Sequence, residues 1–198
     1  MKLTTFIFLI FSIVLFGQDI LPNLNLSNSI DFKNDSEGND VKNLLKLKND
    51  EIAVSFYTNG GLGYHLKIDN FIFNENGKVK HYKEEIYYKR GKKFKKRNVK
   101  LSELQKNQFK NIIQSEFFLT FSKFDQNDFA VIGGHDFSCD NNYIDDAPEN
   151  FIIITQNKKS KTIKVYLPKN KLKCAKKDSP LVKFVELHKL FNIKIDKY

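Results

Sequence analysis

Tryptophan is missing from this 198-residue chain, methionine occurs once, and cysteine occurs only twice, at Cys139 and Cys174. The lack of Trp and Met accompanies heavy use of Lys, Asn, Ile and Phe, the bias of an AT-rich genome, so the composition partly reflects codon pressure. No cysteine precedes Cys139, which excludes lipid attachment to an N-terminal cysteine. Arginine is nearly absent too: of 33 basic residues only Arg90 and Arg97 are Arg. Arginine is the side chain suited to bidentate phosphate recognition, so its scarcity argues against nucleic acid despite a formal net charge of +10. After the N-terminus no apolar run approaches the roughly 20 residues of a membrane-spanning helix. The four histidines, His65, His81, His135 and His188, are far apart and lack the paired spacing of zinc ligands. No cofactor motif is present, and no cofactor is expected.

What the chain does have is large apolar side chains. Nineteen Phe and eight Tyr supply a core although the apolar share is only 41%, and the length suits one domain. At the start, Lys2 precedes the uncharged run Thr4–Phe16, and Gly17-Gln18 follows. That is the order of a short positive region, an apolar segment and a small residue at a cleavage point, so residues 1–17 read as a signal peptide. The expected location is therefore periplasmic or secreted. In such an oxidising compartment an even pair of cysteines is most simply one disulfide, Cys139–Cys174.

Residues 18–50 are rich in Asn, Asp, Ser and Lys and read as a flexible leader; residues 51–198 read as a single α+β domain. Glu51–Thr58 is an apolar strand. Tyr64, Leu66 and Ile68 alternate with polar residues, but Phe71 and Phe73 fall on the opposite parity, so a bulge at Asp69-Asn70 is expected. Asn76-Gly77 suits a type I′ hairpin turn. The returning strand, Val79–Tyr88, and a further short strand, Phe94–Val99, flank a turn at Lys89–Lys92. Ser102 and Gln105 form a capping box for a helix whose apolar face is Leu104, Phe109, Ile112, Ile113 and Phe117. From Phe118 to Asp125 the chain reads as apolar but irregular. Phe151–Ile154 and Thr162–Leu167 make a second hairpin around a lysine-rich turn, and Ser179-Pro180 begins a helix to Phe191. The expected fold is a two-layer α+β domain: a curved antiparallel sheet with two helices on one face, built from two hairpin-plus-helix units.

Several features recur together: the strand entry Gly61-Leu62-Gly63-Tyr64-His65-Leu66-Lys67-Ile68, the Asn76-Gly77 turn, and a Ser-capped helix ending in Phe117-Phe118. A Cys139-Asp140 loop, a Lys-rich hairpin and a short C-terminal helix complete the order. In this the stretch Ile52–Phe191 resembles a group of small exported bacterial domains of unknown function. The resemblance is one of pattern, implies the exported α+β unit, and carries over no functional residue.

Three places hold candidate chemistry. Lys89–Lys100 contains eight basic residues and no acid, and Lys158–Lys177 contains nine Lys and no acid. The candidate binding residues are Lys89, Arg90, Lys92, Lys93, Lys95, Lys96 and Arg97, read as hairpin tips facing an anionic polysaccharide, a lipid headgroup or an acidic protein. The bland alternative is a solvated lysine surface. Second, Asp125–Glu149 holds seven acidic residues and no Lys or Arg. Asp140, Asp145, Asp146 and Glu149 are hard-oxygen candidates for Ca²⁺, without the central Gly of an EF-hand loop. Third, His135-Asp136 near Cys139, with Gly133-Gly134 as backbone donors, has the residue types of a Cys–His hydrolase in the Gly133–Glu149 loop; a disulfide at Cys139 would remove its nucleophile. The leading expectation is a non-enzymatic binding domain, the alternative a small hydrolase.

Overall fold

The computed structural model describes residues 21–24, 26, 47–59, 65–87, 93–129, 149–166, 172 and 175–195. Among the described residues three helices accompany one sheet of six strands: β1 (Glu51–Asn59), β2 (His65–Asn74), β3 (Val79–Tyr87), β4 (Lys93–Val99), β5 (Glu149–Gln156) and β6 (Lys159–Tyr166). The described helices are α1 (Glu103–Gln114), α2 (Glu116–Phe121) and α3 (Pro180–Leu190), with a 3₁₀ turn at Gln126–Phe129. The strand order is β4-β3-β2-β1-β5-β6, and every neighbouring pair is antiparallel. This is an α+β fold in which β1 joins the β2–β3–β4 meander on one side to the β5–β6 hairpin on the other. The sequence of β1 explains that position. Seven successive residues, Glu51–Tyr57, are buried, as a strand with neighbours on both edges and cover on both faces requires.

One sheet face presents Val54, Phe56, Phe71, Phe73, Ile152, Ile154 and Ile163. These share a single core cluster with the buried residues of all three helices, among them Phe109, Ile113, Phe118, Phe121, Leu181 and Phe184. Phe191 ties the layers together: its ring lies 5.0 Å from Phe56 and 4.8 Å from Phe71, and stacks at 5.3 Å on Phe109 of α1. Its place is set by the end of α3, where Asn192 is left-handed (φ 57°). There the Ile193 N–H donates to the His188 carbonyl at 2.8 Å, and the Asn192 N–H donates to the Lys189 carbonyl at 2.9 Å. This is a Schellman ending with Asn in the usual Gly place.

The opposite sheet face carries a second buried cluster, Tyr57, Leu66, Ile68, Ile86, Phe151 and Ile153. The expected bulge at Asp69-Asn70 is therefore not there. β2 pairs residue for residue with β1 from Leu66 to Asn74 and with β3 from His65 to Phe73; Leu66 and Ile68 belong to one core and Phe71 and Phe73 to the other. A parity change in the apolar pattern needs no extra residue when both faces are buried.

Local readings are corrected in three other places. Gly77 (φ 67°) is left-handed but Asn76 is not, so that turn is not type I′. The Asn157-Lys158 turn has both residues left-handed (φ 51° and 63°), the signature of type I′. Leu104, expected in the core, is 79% exposed. Phe117, expected on the first helix, and the start of the stretch read as irregular, Phe118–Phe121, belong instead to α2, capped by the Ser115 hydroxyl, which accepts from the Phe118 N–H. The capping box at Ser102 is present, with the Ser102 N–H donating to Gln105 Oε1 at 2.9 Å.

Two glutamine amides tie strands to neighbouring chain. Gln156 Oε1 accepts from the Leu24 N–H at 2.8 Å, while its Nε2 donates to the Pro22 carbonyl at 2.9 Å. Leu24 and Leu26 are buried in the main core, so the packed domain includes residues of the stretch read as a leader. On the edge strand β6, Gln126 Nε2 donates to the Lys164 carbonyl at 2.9 Å and Gln126 Oε1 accepts its N–H at 2.8 Å. The side chain occupies the position a further strand would take.

Candidate basic cleft at the open sheet edge

β4 is the other edge of the sheet, and it holds the described part of the first basic cluster except Lys100. Phe94, Lys95, Lys96, Arg97 and Asn98 are all exposed. The alternation of a strand separates residues that are adjacent in sequence. Lys95 and Arg97 lie opposite Glu85 and Lys83 on one face, whereas Lys96 lies opposite Glu84 on the other. Lys93 begins the strand, paired with Tyr87. Lysine on an edge strand also discourages sheet-to-sheet association, a sufficient structural reason for part of this charge. Lys89, Arg90 and Lys92 lie outside the described residues.

Beside β4 is an open cleft of about 740 Å³. Lys80 of β3, Lys96 and Asn98 of β4, Lys100 of the connection and Lys106 of α1 line it together with Lys48. Apolar lining comes from Ile72, Val79, Val99 and Leu101, and two carboxylates, Glu51 and Glu103, oppose the five lysines. Glu51 is held by the Lys48 N–H (3.0 Å to Oε2) and by Lys80 Nζ (3.8 Å to Oε1). Glu103 lies 2.6 Å from Lys106 Nζ on the exposed side of α1.

Behind Lys96 runs a buried polar ladder across three strands. Ser55 Oγ donates to Asn70 Oδ1 at 2.6 Å, and Asn70 Nδ2 donates to Glu84 Oε2 at 2.9 Å. Lys96 Nζ is 3.8 Å from Glu84 Oε1 and 3.8 Å from the centre of the Tyr82 ring, a cation–π distance. Burial pushes the Glu84 carboxyl above its ordinary pKa; Lys96 and Asn70 offset only part of that. Burial, then the Glu84 and Glu51 charges, pushes the Tyr82 hydroxyl upward as well. The Lys96 ammonium is thereby held beside Glu84 and Tyr82 while the residue remains exposed.

On the opposite face, Asp69 Oδ1 is 2.7 Å from His81 Nε2 and 3.0 Å from Lys83 Nζ, and His81 stacks on Phe71 at 4.1 Å. Burial alone would raise the Asp69 pKa, but the His81 and Lys83 hydrogen bonds and charges hold it below the usual carboxylate range. Neither polar group is legible in the sequence, where Asp69-Asn70 looks like a break between apolar parities.

The second basic cluster does not behave as one surface. Lys161 is buried, and its Nζ donates to the Ser122 carbonyl at 2.7 Å, at the end of α2. Burial lowers its pKa, with Asp125 and Asp128 pulling the other way. Lys164 Nζ pairs with Glu149 Oε1 at 3.0 Å; of the calcium candidates, Asp140, Asp145 and Asp146 lie outside the described residues. So do Cys139, Cys174, Gly133, Gly134, His135 and Asp136. His188 is a core residue: its Nδ1 is 2.9 Å from the Phe184 carbonyl, and burial pushes its pKa down to about 4. Among the described residues no helix is long and apolar enough to cross a membrane, and no group of three or more His, Cys, Asp or Glu could hold a metal ion. No protein-family model, no curated protein and no solved structure matches the chain.

Proposed function

We propose that this protein is an exported binding domain for an anionic partner, with the lysine-lined cleft and the adjoining β4 as its contact surface. The observation that carries the reading is the convergence of Lys48, Lys80, Lys96, Lys100 and Lys106, from five separate parts of the chain, on one cleft with two carboxylates among its described lining residues. Like charges gathered by folding raise the local positive potential and favour an anion there. The apolar lining beside them suits a ligand with a carbon body as well as charge.

A chain of net charge +10 adheres weakly to many anionic surfaces, so the test must separate site from net charge. One variant carries Lys80→Gln, Lys96→Gln and Lys100→Gln. A charge-matched control carries Lys176→Gln, Lys177→Gln and Lys189→Gln, all exposed elsewhere. Retention on immobilised polyglutamate and on dextran sulfate is measured against salt for both. The reading expects the cleft variant to elute at clearly lower salt than the control. Equal loss in the two variants would mean that the lysines only solvate the surface.

A further inference from the structure

We infer that β4 takes up an extended acidic peptide as a seventh strand, so that the anionic partner is a protein segment carrying carboxylates. The inference rests on the proposed anion-binding function and specifies its partner. The sheet has two edges that are treated differently. At β6, the Gln126 amide already occupies the edge-facing N–H and carbonyl of Lys164. At β4, five consecutive residues are exposed, with Phe94 44% accessible. An edge strand offers a row of backbone donors and acceptors to any extended chain, and side-chain chemistry decides which chain is accepted.

Here that chemistry is positive on both sheet faces. A strand added beside β4 would set its alternate side chains next to Lys95 and Arg97 on one face, and next to Phe94 and Lys96 on the other. Opposite charges across neighbouring strands stabilise pairing, and like charges oppose it. A second copy of this chain is therefore a poor occupant, because β4 against β4 sets basic residues against basic residues. A sulfated or phosphorylated sugar would meet the lysines but would have no use for the strand's backbone or for Phe94. An acidic peptide with an apolar residue every second position satisfies all three features. The cleft at the Val99 end of β4, lined by Lys96, Asn98 and Lys100, would receive further carboxylates of the same segment.

The test uses the full chain and a blocked octapeptide of alternating Glu and Val. A second peptide has the same sequence with two adjacent central amides N-methylated, which removes a donor from each of its edges without changing charge. Binding is followed by fluorescence anisotropy at low and high salt, with dextran sulfate as a third ligand. The expected result is salt-sensitive binding of the first peptide, about tenfold or more weaker binding of the methylated one, and slower hydrogen exchange at amides of β4. Arg97→Glu should weaken the first peptide as well. Equal affinity of the two peptides, or binding of dextran sulfate alone, would overturn strand addition and leave the anionic-partner reading standing. If no anionic ligand binds, both fall. A dimer through β4 in light scattering would also overturn the inference.

Discussion

His188 offers the sharpest quantitative test of the packing described above. Its ring lies 4.9 Å from Phe56 and 4.6 Å from Phe184, and the residue is 2% exposed. Burial lowers its pKa from 6.5 to about 4, so the folded state binds this proton less readily than the unfolded chain. Stability from this group is therefore full above pH 6.5, falls as pH drops, and is lost completely below about pH 4. At about 1.4 kcal/mol per unit of pKa difference, the whole loss is roughly 3 kcal/mol, of which about 2 kcal/mol has gone by pH 5. Asp69, whose pKa is lowered, loses stabilisation in the same direction but below the ordinary carboxylate range; Glu84, whose pKa is raised, acts in the opposite direction. Replacing His188 by Leu isolates the histidine. The substitution costs about 1 kcal/mol at pH 7.5 through the lost hydrogen bond and altered packing. Urea unfolding at several pH values between 7.5 and 5 should then show a stability curve flatter than wild type by about 2 kcal/mol over that range. Parallel curves for the two proteins would refute the burial of a neutral imidazole at this position.

Other perturbations follow from the turns and clamps. Lys158→Gly should stabilise the protein by about 0.5–1 kcal/mol, because Lys158 sits at φ 63° in a type I′ turn where Gly carries no Cβ penalty; a lower thermal midpoint would contradict the turn. Gln156→Leu leaves the buried Leu24 N–H without its acceptor and should cost about 1–3 kcal/mol in urea unfolding, while also increasing proteolytic cleavage near Pro22. No change in either would mean that residues 22–24 are not held by this side chain.

Much of the architecture is legible in the sequence because the signals are local. The Ser102–Gln105 capping box, Ser179-Pro180 and the Phe151–Ile154 run each specify an element without help from distant chain. What sequence reading misses depends on long-range pairing. The parity change between Ile68 and Phe71 looks like a bulge if one buried face is assumed; only the neighbours of β2 reveal that both faces are covered. Asn76-Gly77 is the stronger turn signal by residue type, yet the two-residue type I′ geometry falls at Asn157-Lys158, because the β5–β6 register leaves two residues between Gln156 and Lys159. The basic clusters show the same limit. Lys161 reads like its neighbours but is buried beneath the end of α2, whereas Lys48 and Lys106, outside both clusters in sequence, line the cleft. A run of like charge states composition; the alternation of the strand decides which of its members share a face.

The proposed function requires folding to assemble a specific anion-binding site from lysines scattered along the chain. The measurement that tests it most directly is a backbone amide NMR titration of the isotopically labelled protein with blocked octaglutamate at moderate salt. A specific site gives saturable shifts concentrated at Lys48, Lys80, Lys96–Lys100 and Lys106. Weak, unsaturable shifts spread over every exposed lysine, including Lys176, Lys177 and Lys189, would contradict it.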